Sequence, residues 1–258
     1  MHRSLILVTL IAAALTGACS TSNSSGPQPQ PEIQATVVSA SGAIGAKVDE
    51  FRALLGQPNN AGTAGEQPAG RREISWDGAG ANPFDNRNDF PGTFFNTNVK
   101  AGASLTTIGT GFRNDSTKFV DINPTYAAEF SAFSPSKIFS PIGSNVMDVQ
   151  FQVAGQATPA RVSGFGAVFS DVDVANRTTL EFFDVNGVSL GKISAPIRSD
   201  ASGLSFAGAM FDNAVVARVR ITLGTGALAA TAKDISAGGQ VDLVVVDDFI
   251  YGEPRLIQ

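Results

Sequence analysis

Two adjacent aspartates, Asp247 and Asp248, interrupt the apolar run from Asp242 to Tyr251. A carboxylate in such a run loses its hydration, and without a replacement partner the loss is strongly unfavourable. Neighbouring residues of a strand face opposite sides, so the two are expected to take separate partners. One would bind a cation and the other backbone N–H groups or an arginine. Asp171 and Asp173 stand two apart at the end of a second apolar run, and in an extended chain they share a face. Asp171, Asp173, Asp247 and Asp248 are therefore candidate ligands for calcium, which takes about six to eight oxygens. The competing expectation is structural. The first pair would then end a strand before a turn at Asn176, and the second would cap loops or pair with Arg72, Arg218 or Arg220.

Paired carboxylates also hydrolyse glycosides when about 5–9 Å separates them across a cleft. Glu73, Asp77, Glu181 and Asp184 are the nominal candidates, but strand context favours outward-facing polar positions, and no catalytic residue is assigned. Asp85–Asp89 (DNRND) lacks the spacing and glycine of an EF-hand loop and reads as a solvated turn.

The other nucleophile and ligand types are nearly absent. The chain has one histidine, His2, and one cysteine, Cys19. Both fall in or beside an export signal: basic His2 and Arg3, an apolar stretch from Leu5 to Leu15, small Thr16, Gly17 and Ala18, then Cys19. The stretch is shorter than the roughly 20 residues a membrane span needs. A cysteine directly after small residues resembles the lipobox of bacterial lipoproteins, with Leu15 one place before its usual position. That resemblance implies cleavage before Cys19, a palmitate-type lipid on its thiol and, from Ser20, the outer membrane, facing the periplasm or the surface. Cleavage would remove His2, and lipidation would block the thiol. Ser-His-Asp and Cys-His catalysis, His/Cys zinc sites and haem ligation are then excluded, as is an intrachain disulfide. The net charge of −5, with no basic run and no phosphate-binding glycine loop, argues against nucleic-acid partners.

The elements that must position these residues are mostly strands. Residues 1–18 form the signal, 19–34 a Ser/Pro/Gln-rich spacer and 35–258 one domain. Ile44, Val48, Phe51, Leu54 and Leu55 recur at helical spacing over Ala43–Leu55, and Gly56 and Pro58 end that helix. Period-two runs follow at Arg71–Asp77, Ser104–Ile108, Ala127–Phe133, Val146–Val153, Arg161–Phe169, Thr179–Asp184, Ser189–Pro196, Leu204–Phe211, Ala217–Leu223 and Asp242–Tyr251. Asp184–Gly187 is a hairpin turn, and Leu243–Val246 reads as a central strand covered on both faces. The expected fold is all-β, a jelly-roll-like antiparallel β-sandwich with one short N-terminal helix. Trp76 shares a strand face with Ile74 and is expected in the core. The chain has 18 Phe but only three Trp and Tyr (Trp76, Tyr126, Tyr251), which disfavours a broad sugar-stacking face.

RREISWDG (Arg71–Gly78), FPGTFFN (Phe90–Asn96), GFGAVFSDVD (Gly164–Asp173), TLEFFDVNGVSLG (Thr179–Gly191) and VVVDDFIYGEP (Val244–Pro254) resemble a family of exported bacterial β-sandwich proteins, lipid-anchored or C-terminally sorted. The likeness spans most of residues 45–255 and implies an extracytoplasmic sandwich without an established activity. The last motif also resembles the closing strand of jelly-roll adhesion and carbohydrate-binding modules. Three functions are carried forward: a non-catalytic, lipid-anchored envelope binding or adhesion module for a glycan or an envelope protein, with calcium as the candidate cofactor; a structural envelope protein; and a carboxylate-dependent glycan hydrolase.

Overall fold

The computed structural model describes residues 32–77, 83–198 and 203–257. The export signal, Cys19 and the spacer as far as residue 31 lie outside them. The chain runs through β1 (Thr36–Ser41), α1 (Gly45–Leu55), β2 (Arg71–Ile74), α2 (Phe94–Thr97), β3 (Ala103–Thr107), β4 (Gly111–Asp115), α3 (Tyr126–Glu129), β5 (Ile138–Ile142) and β6 (Val146–Phe151). It continues with β7 (Ala160–Arg161), β8 (Gly164–Ser170), β9 (Thr179–Phe183), β10 (Ser189–Ser194), β11 (Leu204–Met210), β12 (Arg218–Thr222), β13 (Val245–Gly252) and β14 (Arg255–Leu256). No helix among the described residues is long and apolar enough to cross a membrane.

The strands pair antiparallel in two main sheets, as an all-β sandwich requires. The larger runs β1-β11-β8-β13-β5-β4, with β2 also on β13, and the smaller runs β10-β9-β12-β6-β3. Their facing sides bury one apolar core: Phe165, Ala167, Phe169, Val246 and Phe249 from the large sheet, with Leu105, Val149, Leu180, Phe182 and Val219 from the small one. Trp76 lies inside it, stacked on Phe139 at 3.9 Å between ring centroids, and its indole N–H donates to the Asp247 carbonyl at 2.8 Å.

The outer face of the large sheet is covered too, which is why every residue of β8 and β13 is buried. Helix α1 lays Val48, Phe51 and Leu55 on Val168, Phe206 and Ile250. Phe51 rests on Gly166 and Gly208, which face each other across β8 and β11; a Cβ on either would meet its ring at 2.8–2.9 Å. Leu54, expected on the buried face, is exposed at the rim of α1. Farther along, Phe119, Tyr126, Phe130 and Leu228 cover Ile138, Leu243 and Val245.

The expected strand at Ala127–Phe133 is instead the helical turn α3 followed by irregular chain. Tyr126 and Phe130 are four apart, so one helical turn brings their rings together at 5.4 Å. Strands β1, β4 and β5 were not expected. They lack a clean apolar alternation: β4 (GFRND) buries Arg113, Asn114 and Asp115, and β5 contains Pro141. Arg72 is fully buried and makes a two-pronged ion pair with Glu253 at 2.7 and 2.9 Å. Its remaining N–H groups donate to the carbonyls of Ala61, Thr63, Gly65 and Lys100, which pins the loop between α1 and β2.

Among the described residues nothing covers the small sheet's outer face, where Lys192, Arg220 and Thr106 are exposed. Across it Lys192, Glu181, Arg220, Asp148 and Thr106 stand in register on β10, β9, β12, β6 and β3, an alternating row of charge that suits a solvated face.

Candidate metal centre and adjoining cleft

Asp171 closes β8, but its φ of +71° turns the chain out of the strand. The extended geometry that would put Asp171 and Asp173 on one face is therefore lost, and the two carboxylates reach different places. Asp171 joins Glu129 and Asp234; Asp173 joins Asp234 and Asp242. Within each set, one ligand oxygen per residue lies within 4.8 Å of the others. Glu129 ends α3, and Asp242 lies three residues before β13. Asp234 opens a tight loop that returns through Gly239, whose N–H donates to the Asp234 carbonyl at 2.6 Å. A Cβ at Gly239 would meet the Lys233 carbonyl at 1.8 Å, so only glycine closes that loop without rearrangement.

Three of the five carboxylates have partners. Asp234 accepts from the Ser236 and Leu243 N–H groups at 2.7 and 2.6 Å. Asp242 accepts from the N–H groups of Asp173 and Val174. Glu129 accepts from the Ser236 hydroxyl at 2.6 Å. Among the described residues, no donor meets either carboxylate oxygen of Asp171 or Asp173 in hydrogen-bonding geometry, although all four atoms are buried; the Ser236 N–H lies near Asp173 but is given to Asp234. Asp173 faces Asp234, another acceptor, so only a proton or a cation can lie between them. Among the described residues, no Lys or Arg forms an ion pair with any of the five. Burial, reinforced by the charges of Asp234, Asp173, Glu129 and Asp242, pushes Asp171 up to about 9. Burial and then Asp234 raise Asp173 to about 7, and burial raises Asp242.

Asp247 and Asp248 belong to neither set. Between Val246 and Phe249, β13 advances one residue more than β8 does, so the two aspartates form a β-bulge opposite Val168. The strict alternation that would give them separate partners fails there. Asp247 Oδ1 and Asp248 Oδ1 both lie against the Ser134 hydroxyl, at 3.1 and 2.8 Å, and Asp77 Oδ2 approaches it at 3.1 Å. Asp247 Oδ2 also accepts from the Phe133 and Ser134 N–H groups at 2.6 and 3.2 Å. One hydroxyl has one proton to donate, so a proton held by a carboxyl of this group relieves the remaining contacts, and the side-chain hydrogen bond between Asp247 and Asp248 gives it a place. Burial and then the neighbouring Asp248 charge raise Asp247 to about 8, which suits that role. Arg52 reaches Asp248 at 3.7 Å, while Arg72 is taken by Glu253, and Arg218 and Arg220 by Asp148.

A cleft of about 600 Å³ opens at the end of the small sheet next to Asp173 and Asp242, lined by Asn176, Arg177, Thr179, Lys192, Ser194, Thr222, Gly224 and Thr225. Ser194, Thr179 and Thr222 stand in register across β10, β9 and β12. Asn176 and Arg177, a few residues beyond Asp173, line one side, with the turn at Asn176 (φ +62°) that its sequence suggests. Thr225 links the opposite side to Asp242: its hydroxyl accepts the Asp242 N–H at 2.9 Å, and its own N–H donates to the Asp242 carbonyl at 2.9 Å.

The remaining carboxylates are engaged elsewhere. Glu73 pairs with Arg52 and Arg71, Asp77 accepts from Ser136 and the Lys137 N–H, and Glu181 pairs with Lys192. Asp184 accepts from the N–H groups of Asn186 and Val188 in the expected hairpin turn. In DNRND, Asp85 meets Lys137 and Asn114, and Asp89 pairs with Arg87. Glu129, Asp234 and Asp242 were not among the expected ligands. The short Asp-Ile-Ser-Ala-Gly-Gly segment after Lys233, which bends back through an aspartate-capped turn, is the one local signal that marks Asp234.

No protein-family model matches the chain, and no curated protein matches it. Among solved structures, the enzymatically active domain of tailspike protein 4 from bacteriophage CBA120 is similar over 64% of this chain, at 14% identity and a TM-score of 0.29. The chain spans 21% of that structure, and a likeness of this strength carries no argument about either fold or ligand.

Proposed function

We propose that this protein is a lipid-tethered, non-catalytic binding module of the bacterial cell envelope, and that its cleft takes an acidic glycan. The observation that carries the reading is the lining of that cleft. Two cations, Arg177 and Lys192, line it together with hydroxyls from Thr179, Ser194 and Thr222; no carboxylate is among the lining residues, although Lys192 also pairs with Glu181 at 3.3 Å. Hydroxyls and an amide match the donors and acceptors of a sugar ring, and the cations match a uronate or a similar acidic substituent. Trp76, Tyr126 and Tyr251 are all buried, so recognition here works through charge and hydrogen bonds rather than through Trp or Tyr stacking. The tether rests on the signal pattern that ends at Cys19, and on the likeness to exported, lipid-anchored sandwich proteins.

A panel of neutral and acidic polysaccharides tests the ligand, using the chain carrying Cys19→Ser. Binding is expected only to acidic members, with affinity falling about tenfold or more in Arg177→Ala, because a charge-assisted contact is worth about 1.5–3 kcal/mol. Absence of binding across the panel would assign the chain to the structural envelope role instead. Cutting of any glycan would overturn the non-catalytic reading. The same Cys19→Ser change should release the protein from membranes, and continued detergent-dependent fractionation would sink the tether.

A further inference from the structure

We propose that Glu129, Asp171, Asp173, Asp234 and Asp242 hold a pair of calcium ions, with Asp234 shared between them. Each ion has its own three-carboxylate set, Glu129–Asp171–Asp234 for one and Asp173–Asp234–Asp242 for the other. The spacing within each set, under 4.8 Å, is one that calcium–oxygen bonds of about 2.3–2.6 Å can bridge.

The observation independent of this clustering is Asp171. It is fully buried, it points into the group, and neither of its oxygens has a donor. Both oxygens of Asp173 are in the same condition. Buried polar atoms in folded proteins are almost always satisfied, so four orphaned acceptors converging on three more carboxylates mark a missing positive partner. No lysine or arginine supplies it among the described residues. The count of charge favours two ions: five carboxylates carry −5, one divalent ion would leave −3, and two leave −1. Ligand type selects the metal class, because an all-oxygen donor set suits calcium, magnesium or manganese rather than the softer metals. Magnesium sheds its waters reluctantly, whereas this set is largely buried and built from several carboxylates, which suits calcium.

The ligands come from the end of α3, the end of β8, the loop after it, the Asp234 loop and the approach to β13. Calcium would thus fasten together segments that backbone pairing alone leaves loosely joined. Asp173 and Asp242 are also the residues that lead into the two sides of the cleft, so the site would set the cleft's shape whatever ligand it takes.

Titration calorimetry of calcium into the chelator-stripped full chain is the test, with magnesium as the control. Two calcium ions per chain are expected. A calcium concentration a hundredfold above Kd should raise the melting temperature by about 5–10 °C. Asp234→Asn should abolish both binding events. Asp171→Asn, nearly isosteric and free of the orphaned charge, should fold with an unchanged far-ultraviolet spectrum, melt higher than wild type in chelator and bind only one ion. A single calcium in the wild type would overturn the shared-ligand arrangement. No heat and an unmoved melting temperature would overturn the site. Wild-type stoichiometry in both variants would place the calcium elsewhere and overturn it equally.

Discussion

The molecule buries two groups of acidic residues, and they differ in what surrounds them. At the bulge in β13, Asp247 and Asp248 meet two backbone N–H groups, a serine hydroxyl and, at longer range, Arg52. Beyond the end of β8, Asp171 and Asp173 meet other carboxylates and accept no well-formed hydrogen bond from the described residues. Both pairs stand out equally in the sequence as aspartates in apolar context. A buried carboxyl that has donors, or a proton to give a neighbour, can hold a fold together alone. One that faces only acceptors needs a cation. The difference therefore separates a fold-holding group from a ligand-holding one, which residue type and spacing cannot do.

Variants can break or sharpen that contrast. The largest effect is expected from Asp247→Ala, which strands the partly buried N–H groups of Phe133 and Ser134. Chemical denaturation should show a loss of about 2–4 kcal/mol, identical in calcium and in chelator. A loss that calcium repairs would erase the distinction between the two groups. Ser134→Ala removes the hydroxyl common to Asp77, Asp247 and Asp248 and should cost less, about 1–2 kcal/mol in the same assay.

The smallest effect is one of slope. Asp247 is raised to about 8 when folded, from an ordinary value of 3.8, chiefly by burial and then by Asp248. Asp248 beside it, Asp77 across Ser134, and Glu73 and Arg52 next to Asp248 are the charged groups that face it. A raised carboxyl binds its proton more tightly in the native state, so its contribution to stability is fullest below about pH 4. That contribution is lost as pH rises toward about 8. Asp247→Asn keeps an acceptor for the two N–H groups and removes the titration, so denaturation midpoints measured from pH 5 to pH 8 should fall less steeply than in wild type. An unchanged slope would assign the proton to another member of the group.

Much of this architecture was legible because its signals are local. The alternation in Thr179–Phe183 and Leu204–Met210, the helical spacing of Val48, Phe51 and Leu55, the Asp184–Gly187 turn and the burial of Trp76 all follow from short-range pattern. Asp171 and Asp173 were legible as unusual for the same reason. Their partners were not. Glu129 lies in a segment whose Tyr126–Phe130 spacing fits a strand or a helical turn equally well, and packing on Leu228 and Leu243 decides between them. Asp234 and Asp242 come together because a loop closes on Gly239, and the bulge at Asp247 exists because two strands differ by one residue in register. Register and loop closure depend on pairs of segments, and no single segment encodes them.

The buried Arg72–Glu253 pair has a consequence for how the molecule opens. The loop from Gln57 to Gly70 is rich in Gly, Asn and Pro, a composition usually linked to fast local fluctuation. Here that loop cannot lift away without stripping an arginine of three of its four carbonyl acceptors and leaving its charge beside Glu253 in the interior. Asn60 and the Gln67 N–H also bind Glu253 directly, so the loop is tied to the residue that follows β13. Its amides should then exchange with solvent on the timescale of global unfolding, which makes a segment without regular structure part of the same cooperative unit as the central strand.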